Sequence, residues 1–149
     1  MKHSAEYYIE HLEMEPHVEG GYFKECLLEK EERNLWSSIY FMLAKGEVSH
    51  FHRLKSDEVW YYHDGNALTI YMIDEAGKLT AAKLGLALEK GEVPKGMIFG
   101  SAMEEEGFSL VGCMVSPCFK YEEFELFERK KLLEKYPEHS DVILRLTRE

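Results

Sequence analysis

A chain of 149 residues with 45% apolar and 13% aromatic side chains is enough sequence for one globular domain, residues 1–149, with a core of its own. Its formal net charge of −10 repels nucleic acid and anionic membranes, so neither is expected as a partner. Cys26, Cys113 and Cys118 have no metal-type spacing; they read as reduced thiols, and without an apolar run of signal-peptide or membrane-spanning length the expected location is the cytoplasm.

The first element is a short helix over residues 4–12. Ser4 can cap its free N–H groups, Tyr8, Ile9 and Leu12 recur at helical spacing, and Glu15-Pro16 ends it. "EGGYF", residues 19–23, reads as a turn leading into a strand, with structural glycines; closing a pocket or crossing to a second subunit is the other role open to residues 19–22. Strand patterns then follow one another: "WSSIYFMLA", "EVSHFHRL", "EVWYYH", "ALTIYMID", "LTAAKLG", "MIFGSAM" and "FSLVGCMVS". Asp64-Gly65-Asn66 and "DEAGK" signal hairpin turns, and Pro117 stops the last strand. The charged runs 29–33 and 104–106 read as solvated loops. In the tail, Phe127, Leu132 and Leu133 take helical spacing until Pro137, and a last helix starts at Ser140 with Val142, Ile143 and Leu146 as its apolar stripe. Seven or more short strands with regular turns predict an all-β sandwich or barrel with helical ends.

"HFHRLKSDEVWYYHDG", residues 50–65, carries the chemistry. Side chains two apart share a strand face, so His50, His52 and Leu54 are expected to point one way. Glu58, Trp60 and Tyr62 are expected to share a face on the next strand, opposite Val59, Tyr61 and His63, with His63 a surface residue flanking the turn. If both first sets face the interior, His50, His52 and Glu58 form a two-imidazole, one-carboxylate set able to hold a divalent metal. Without metal, His52 beside Glu58 is a proton-transfer pair, with Tyr62 or Tyr40 as the partner acid. Tyr22, Tyr40, His50 and Trp60 are candidate ligand-binding residues, though rings in such strands also serve as core. Arg53 is expected to pair with Glu19 or Asp57, or to clamp a substrate anion, with Lys55 and Lys95 as further local positive charge. Cys113 falls on a buried strand face and reads as an inert core thiol.

The spacing Gly46, five residues, His52, one, Leu54, three, Glu58, six, Gly65 resembles the first motif of the cupin superfamily, with Leu54 in the second histidine's place. Pro94-Lys95-Gly96-Met97-Ile98-Phe99 resembles the second motif, with Phe99 at its histidine. "PHVEGGYF", "SIYFMLAKGEVSHFHRLKSDEVWYYHDGNAL", "VPKG", "LVGCMVSPCF" and "FEL" together resemble a small-cupin family of unknown function that usually carries Trp-Gln where this chain has Ile98-Phe99. The resemblance implies a double-stranded β-helix, or jelly-roll barrel, and a homodimer. It implies a pocket for a small polar molecule, carbohydrate-like or otherwise, since such barrels look like sugar-nucleotide epimerases. Acid–base chemistry in that pocket is one expectation; a non-catalytic small-molecule binding protein and a metal-dependent enzyme are the others. With two of four ligand positions replaced by Leu54 and Phe99, no metal is favoured over a divalent metal.

Overall fold

A computed structural model describes residues 3–27, 35–86 and 91–149; the charged run 29–33 lies outside them. Helix α1 (Ala5–His11) is followed by strands β1 (Glu15–Pro16), β2 (Tyr22–Leu27), β3 (Ser37–Ala44), β4 (Val48–Arg53), β5 (Asp57–Gly65), β6 (Leu68–Ile73), β7 (Leu79–Leu84), β8 (Glu92–Val93), β9 (Ile98–Met103), β10 (Phe108–Ser116) and β11 (Glu125–Leu126). Helices α2 (Arg129–Lys135) and α3 (Ser140–Arg145) close the chain. The strands form two antiparallel sheets, ordered β1-β2-β3-β10-β5-β8 and β11-β4-β9-β6-β7. From β3 to β6 the chain passes between sheets at every connection, which makes the architecture the expected jelly roll. No helix among the described residues is long and apolar enough to cross a membrane.

The two turn signals resolve differently. "DEAGK" makes a true hairpin, with Ile73 opposite Leu79 across β6 and β7. Asp64-Gly65-Asn66 does not, because it carries the chain from β5 in one sheet to β6 in the other. Turn residues fix a reversal of direction; the strand's pairing partner is chosen by packing over a longer range.

Three apolar clusters hold these layers. Between the sheets lie Phe41, Leu43, Leu54, Trp60, Ile70, Phe99 and Val111, with Cys113 among them. The outer face of the five-stranded sheet is covered by the C-terminal helices, where Phe51, Ile73 and Ile98 meet Leu132, Ile143 and Leu146. The outer face of the six-stranded sheet is covered by α1, which sets Tyr8, Ile9 and Leu12 against Met42, Leu110, Tyr22 and Tyr40. The Tyr7 backbone N–H donates to the Ser4 hydroxyl at 3.2 Å, so α1 is capped as the sequence predicts. Ser4→Ala is expected to lower stability by about 1 kcal/mol in a denaturant titration; an unchanged midpoint would remove the cap from the account.

Candidate functional site

The cavity between the sheets has a volume of about 140 Å³. His17, Glu19, Glu25, Ser37, Ser38, His52, Glu58 and Cys113 are among its polar lining; Phe23, Ile39, Leu54, Val115, Phe119 and Phe124 are among its apolar lining, with Tyr121 beside them. His52 comes from β4, Glu58 from β5 and Cys113 from β10, three strands that each present a side chain inward. His17 and Glu19 come instead from the turn before β2. There the Gly20 N–H donates to the His17 carbonyl at 3.0 Å, and the His17 N–H donates to the Gly21 carbonyl at 2.9 Å. Gly20 has φ +111, a conformation reserved for glycine. The tight turn brings the Glu19 carbonyl to the β4 backbone, where it accepts from the His50 N–H at 2.8 Å.

These residues make a connected hydrogen-bonded group. His52 Nδ1 lies 2.7 Å from the His50 carbonyl. A carbonyl only accepts, so Nδ1 carries the proton and Nε2 presents its lone pair. Nε2 sits 3.2 Å from Glu19 Oε2, and Glu19 Oε1 lies 3.7 Å from His17 Nδ1. Burial pushes the His52 imidazole down to about 4 despite that bond. Burial pushes Glu19 up to about 7, with the His17 ring and Ser49 hydroxyl pulling part of the way back. Below about pH 7 Glu19 and His52 are therefore mostly a neutral pair, the carboxylic acid donating to Nε2. Glu58 is pushed up to about 8, first by burial and then by the neighbouring Glu19 carboxylate, against the weaker pull of Cys113 and Trp60. Burial also holds the Cys113 thiol well above its ordinary value and keeps His17 below its own.

Of the sequence-predicted residues, His52 and Glu58 line the cavity and His50 does not. The pairing register of β4 with β9 shifts between Ser49 and His52, a β-bulge that breaks period-two alternation. Ser49 and His52 both approach Glu19, while the His50 ring turns to the Glu19 carbonyl, 2.5 Å from Nδ1. The metal set of His50, His52 and Glu58 is thus not assembled. Among the described residues no group of three or more His, Cys, Asp or Glu is placed to hold a metal ion. Leu54 and Phe99, buried in the core, stand where further ligands would be needed. The donors present do not fit a resident metal.

Trp60 faces the interior but packs on Phe41, at 5.7 Å between ring centroids, outside the cavity lining. Tyr62 donates its hydroxyl to the Gly65 carbonyl at 2.7 Å, away from the cavity. Tyr22 and Tyr40 lie under α1 on the outer face. Arg53 pairs with neither Glu19 nor Asp57; its guanidinium reaches Glu125 Oε2 at 2.5 Å, because β11 lies directly beside it in register. Lys55 and Lys95 line a separate groove with Glu75, Glu122 and Glu123. Sequence reasoning misses His17 and the ring wall as site residues, and reaches Glu19 only as a partner of Arg53 or as part of a stretch that could close a pocket. The available signal is a carboxylate immediately before paired glycines, an arrangement that lets a tight turn press a charged side chain into a barrel.

A family model described as "Cupin superfamily (DUF985)" matches residues 6–127. A crystal structure of a protein from Shewanella oneidensis is 54% identical over 98% of both chains, with a TM-score of 0.92. A hypothetical protein from Leishmania major is 34% identical over 99% of this chain and 100% of its own, with a TM-score of 0.90. Oxalate decarboxylase from Bacillus subtilis shares the fold at 17% identity and a TM-score of 0.62, over 88% of this chain and 36% of that one. No curated protein matches.

Proposed function

The chain belongs to the DUF985 family of the cupin superfamily, and from that premise we propose that its barrel is a small-molecule site in which Glu19, His52 and Glu58 move protons on a bound substrate, as an isomerase or epimerase does. The observation that carries the reading is the Glu19–His52 pair at 3.2 Å with Glu58 beside it. An isomerisation needs one group to remove a proton and another to return it, both working near ambient pH. Glu19, at about 7, and Glu58, at about 8, are poised for those two roles. His52 Nε2, 3.2 Å from Glu19 Oε2, orients the Glu19 carboxyl, which can act as base once it has released its proton near pH 7. The size supports a compact substrate. A cavity of about 140 Å³ resembles those that take up a molecule such as benzene, so a whole sugar nucleotide would not be enclosed.

The test is deuterium exchange. Small hydroxy-carbonyl and amino-carbonyl compounds are incubated with the protein in D₂O, and loss of the C–H signal is followed by NMR. Glu58→Gln and His52→Gln are each expected to slow exchange on the order of 100-fold while thermal unfolding stays cooperative. Compounds that raise the melting temperature without exchanging would favour the alternative, a barrel that binds and does not catalyse.

A further inference from the structure

We infer that the cavity takes a small organic ammonium ion with an apolar body, its charged head against Glu58 and Glu19 and its body against the rings of Phe23, Phe119 and Phe124. The inference rests on the pocket reading above and adds a substrate class to it. Among the described residues lining the cavity, the acid–base groups that can carry charge near neutral pH are three carboxylates, Glu19, Glu25 and Glu58, and two imidazoles, His17 and His52. Both rings are held toward neutrality by burial. Any charge that the lining develops is therefore negative. The cations that could receive a substrate anion point elsewhere, Arg53 to Glu125 and Lys55 and Lys95 to another groove.

The carboxyl groups and the rings of the lining suit two ends of one molecule. Glu19 and Glu58 are each only 7% exposed; Glu58 faces Glu19 and Cys113, and among the described residues no cation balances it. A buried carboxylate in that position is neutralised by holding a proton. An ammonium head offers a better counterion, because it brings a full charge and N–H donors to the same oxygens. On binding, one carboxylic acid gives its proton to solvent and the carboxylate pairs with the cation, so charge balances. The same lining carries aromatic side chains, with Phe124 at 5.4 Å from the His52 ring, Phe119 and Phe124 at 6.0 Å between centroids and Tyr121 at 4.9 Å from Phe119. Rings of this kind accept both apolar surface and positive charge.

Benzylammonium, benzyl alcohol and benzoate differ only at the head group and match the cavity in size. Titration calorimetry on the full chain is expected to give benzylammonium an affinity at least about tenfold above either other compound. Binding at about pH 6 should release close to one proton, read from the dependence of the heat on buffer ionisation enthalpy. Glu58→Gln, which mimics the protonated acid, should weaken benzylammonium about tenfold and remove most of the release. Benzoate or benzyl alcohol binding as well as benzylammonium would overturn the inference, as would no binding by any of the three, or binding untouched in both Glu58→Gln and Glu19→Gln. Deuterium exchange on uncharged compounds would survive such a failure. Conversely, ammonium selectivity without exchange would remove the proton-transfer reading and leave this one standing.

Discussion

Gly20→Ala is expected to cost roughly 3 kcal/mol or more in a denaturant titration and to break the link between Glu19 and His52. A Cβ on Gly20 would collide with the Val48 carbonyl oxygen and lie 3.2 Å from its carbon. Those atoms are backbone, and Val48 is fixed by its register opposite Ala102 in β9. Relief therefore means moving either β4 or the turn. Moving the turn withdraws the Glu19 carbonyl from the His50 N–H and its carboxyl from His52 Nε2. Gly46→Ala separates conformational strain from collision. Gly46 also has a positive φ, +77, but nothing lies within 4 Å of the place a Cβ there would occupy. It is expected to lose only about 1 kcal/mol. Equal losses in the two variants would mean that close approach to β4 does not hold the turn.

The second large effect is a pH dependence that belongs to one carboxyl. Glu58 rises from 4.5 to about 8 on folding, so between those two values the native chain holds a proton that the unfolded chain releases. The stabilisation is complete below the unfolded value and is lost as pH rises through the folded one. Glu19, raised to about 7, acts in the same direction. His52, lowered from 6.5 to about 4, acts oppositely and only below about pH 6.5. Comparison with Glu58→Gln isolates the Glu58 part, since glutamine cannot ionise. Relative to that variant, the native chain is expected to lose on the order of 4 kcal/mol between about pH 5 and pH 9. Urea midpoints measured across that range provide the test. Parallel curves for the two proteins would mean that Glu58 is solvated or ion-paired in solution.

The barrel is legible in the sequence because its signals are local. Ser4 caps a helix, "DEAGK" closes a hairpin, and Glu58 with Trp60 alternates against Val59 and Tyr61 as period two requires. The site is legible only where alternation holds, at His52 and Glu58. His50 escapes it because the bulge in β4 adds one residue between partners, and no composition marks it. Tyr22 and Tyr40 mislead for a different reason. Both faces of β3 are covered, Phe41 and Leu43 from inside and Tyr40 and Met42 by α1, so a ring on either face reads as interior. Glu19 depends on the approach of a turn to a strand about 30 residues further along. Phe119 and Phe124 come from "PCFKYEEF", which has no periodicity to assign a direction.

The division of the apolar residues into three clusters sets the order in which the molecule opens. Detaching α1 uncovers only the third cluster, and detaching α2 and α3 uncovers only the second; neither empties the space between the sheets. Backbone amides of the terminal helices should accordingly exchange with solvent through partial openings, while those of β3 and β10, paired along eight positions, exchange only when the whole barrel comes apart. The strands and the connecting segment that line the cavity are then expected to open on different timescales. Glu58 on β5 and Cys113 on β10 stand on long, mutually paired strands, whereas Phe119 and Phe124 lie in a connecting segment followed by the two-residue strand β11. The segment that carries the rings is thus expected to exchange before the strands that carry Glu58 and Cys113.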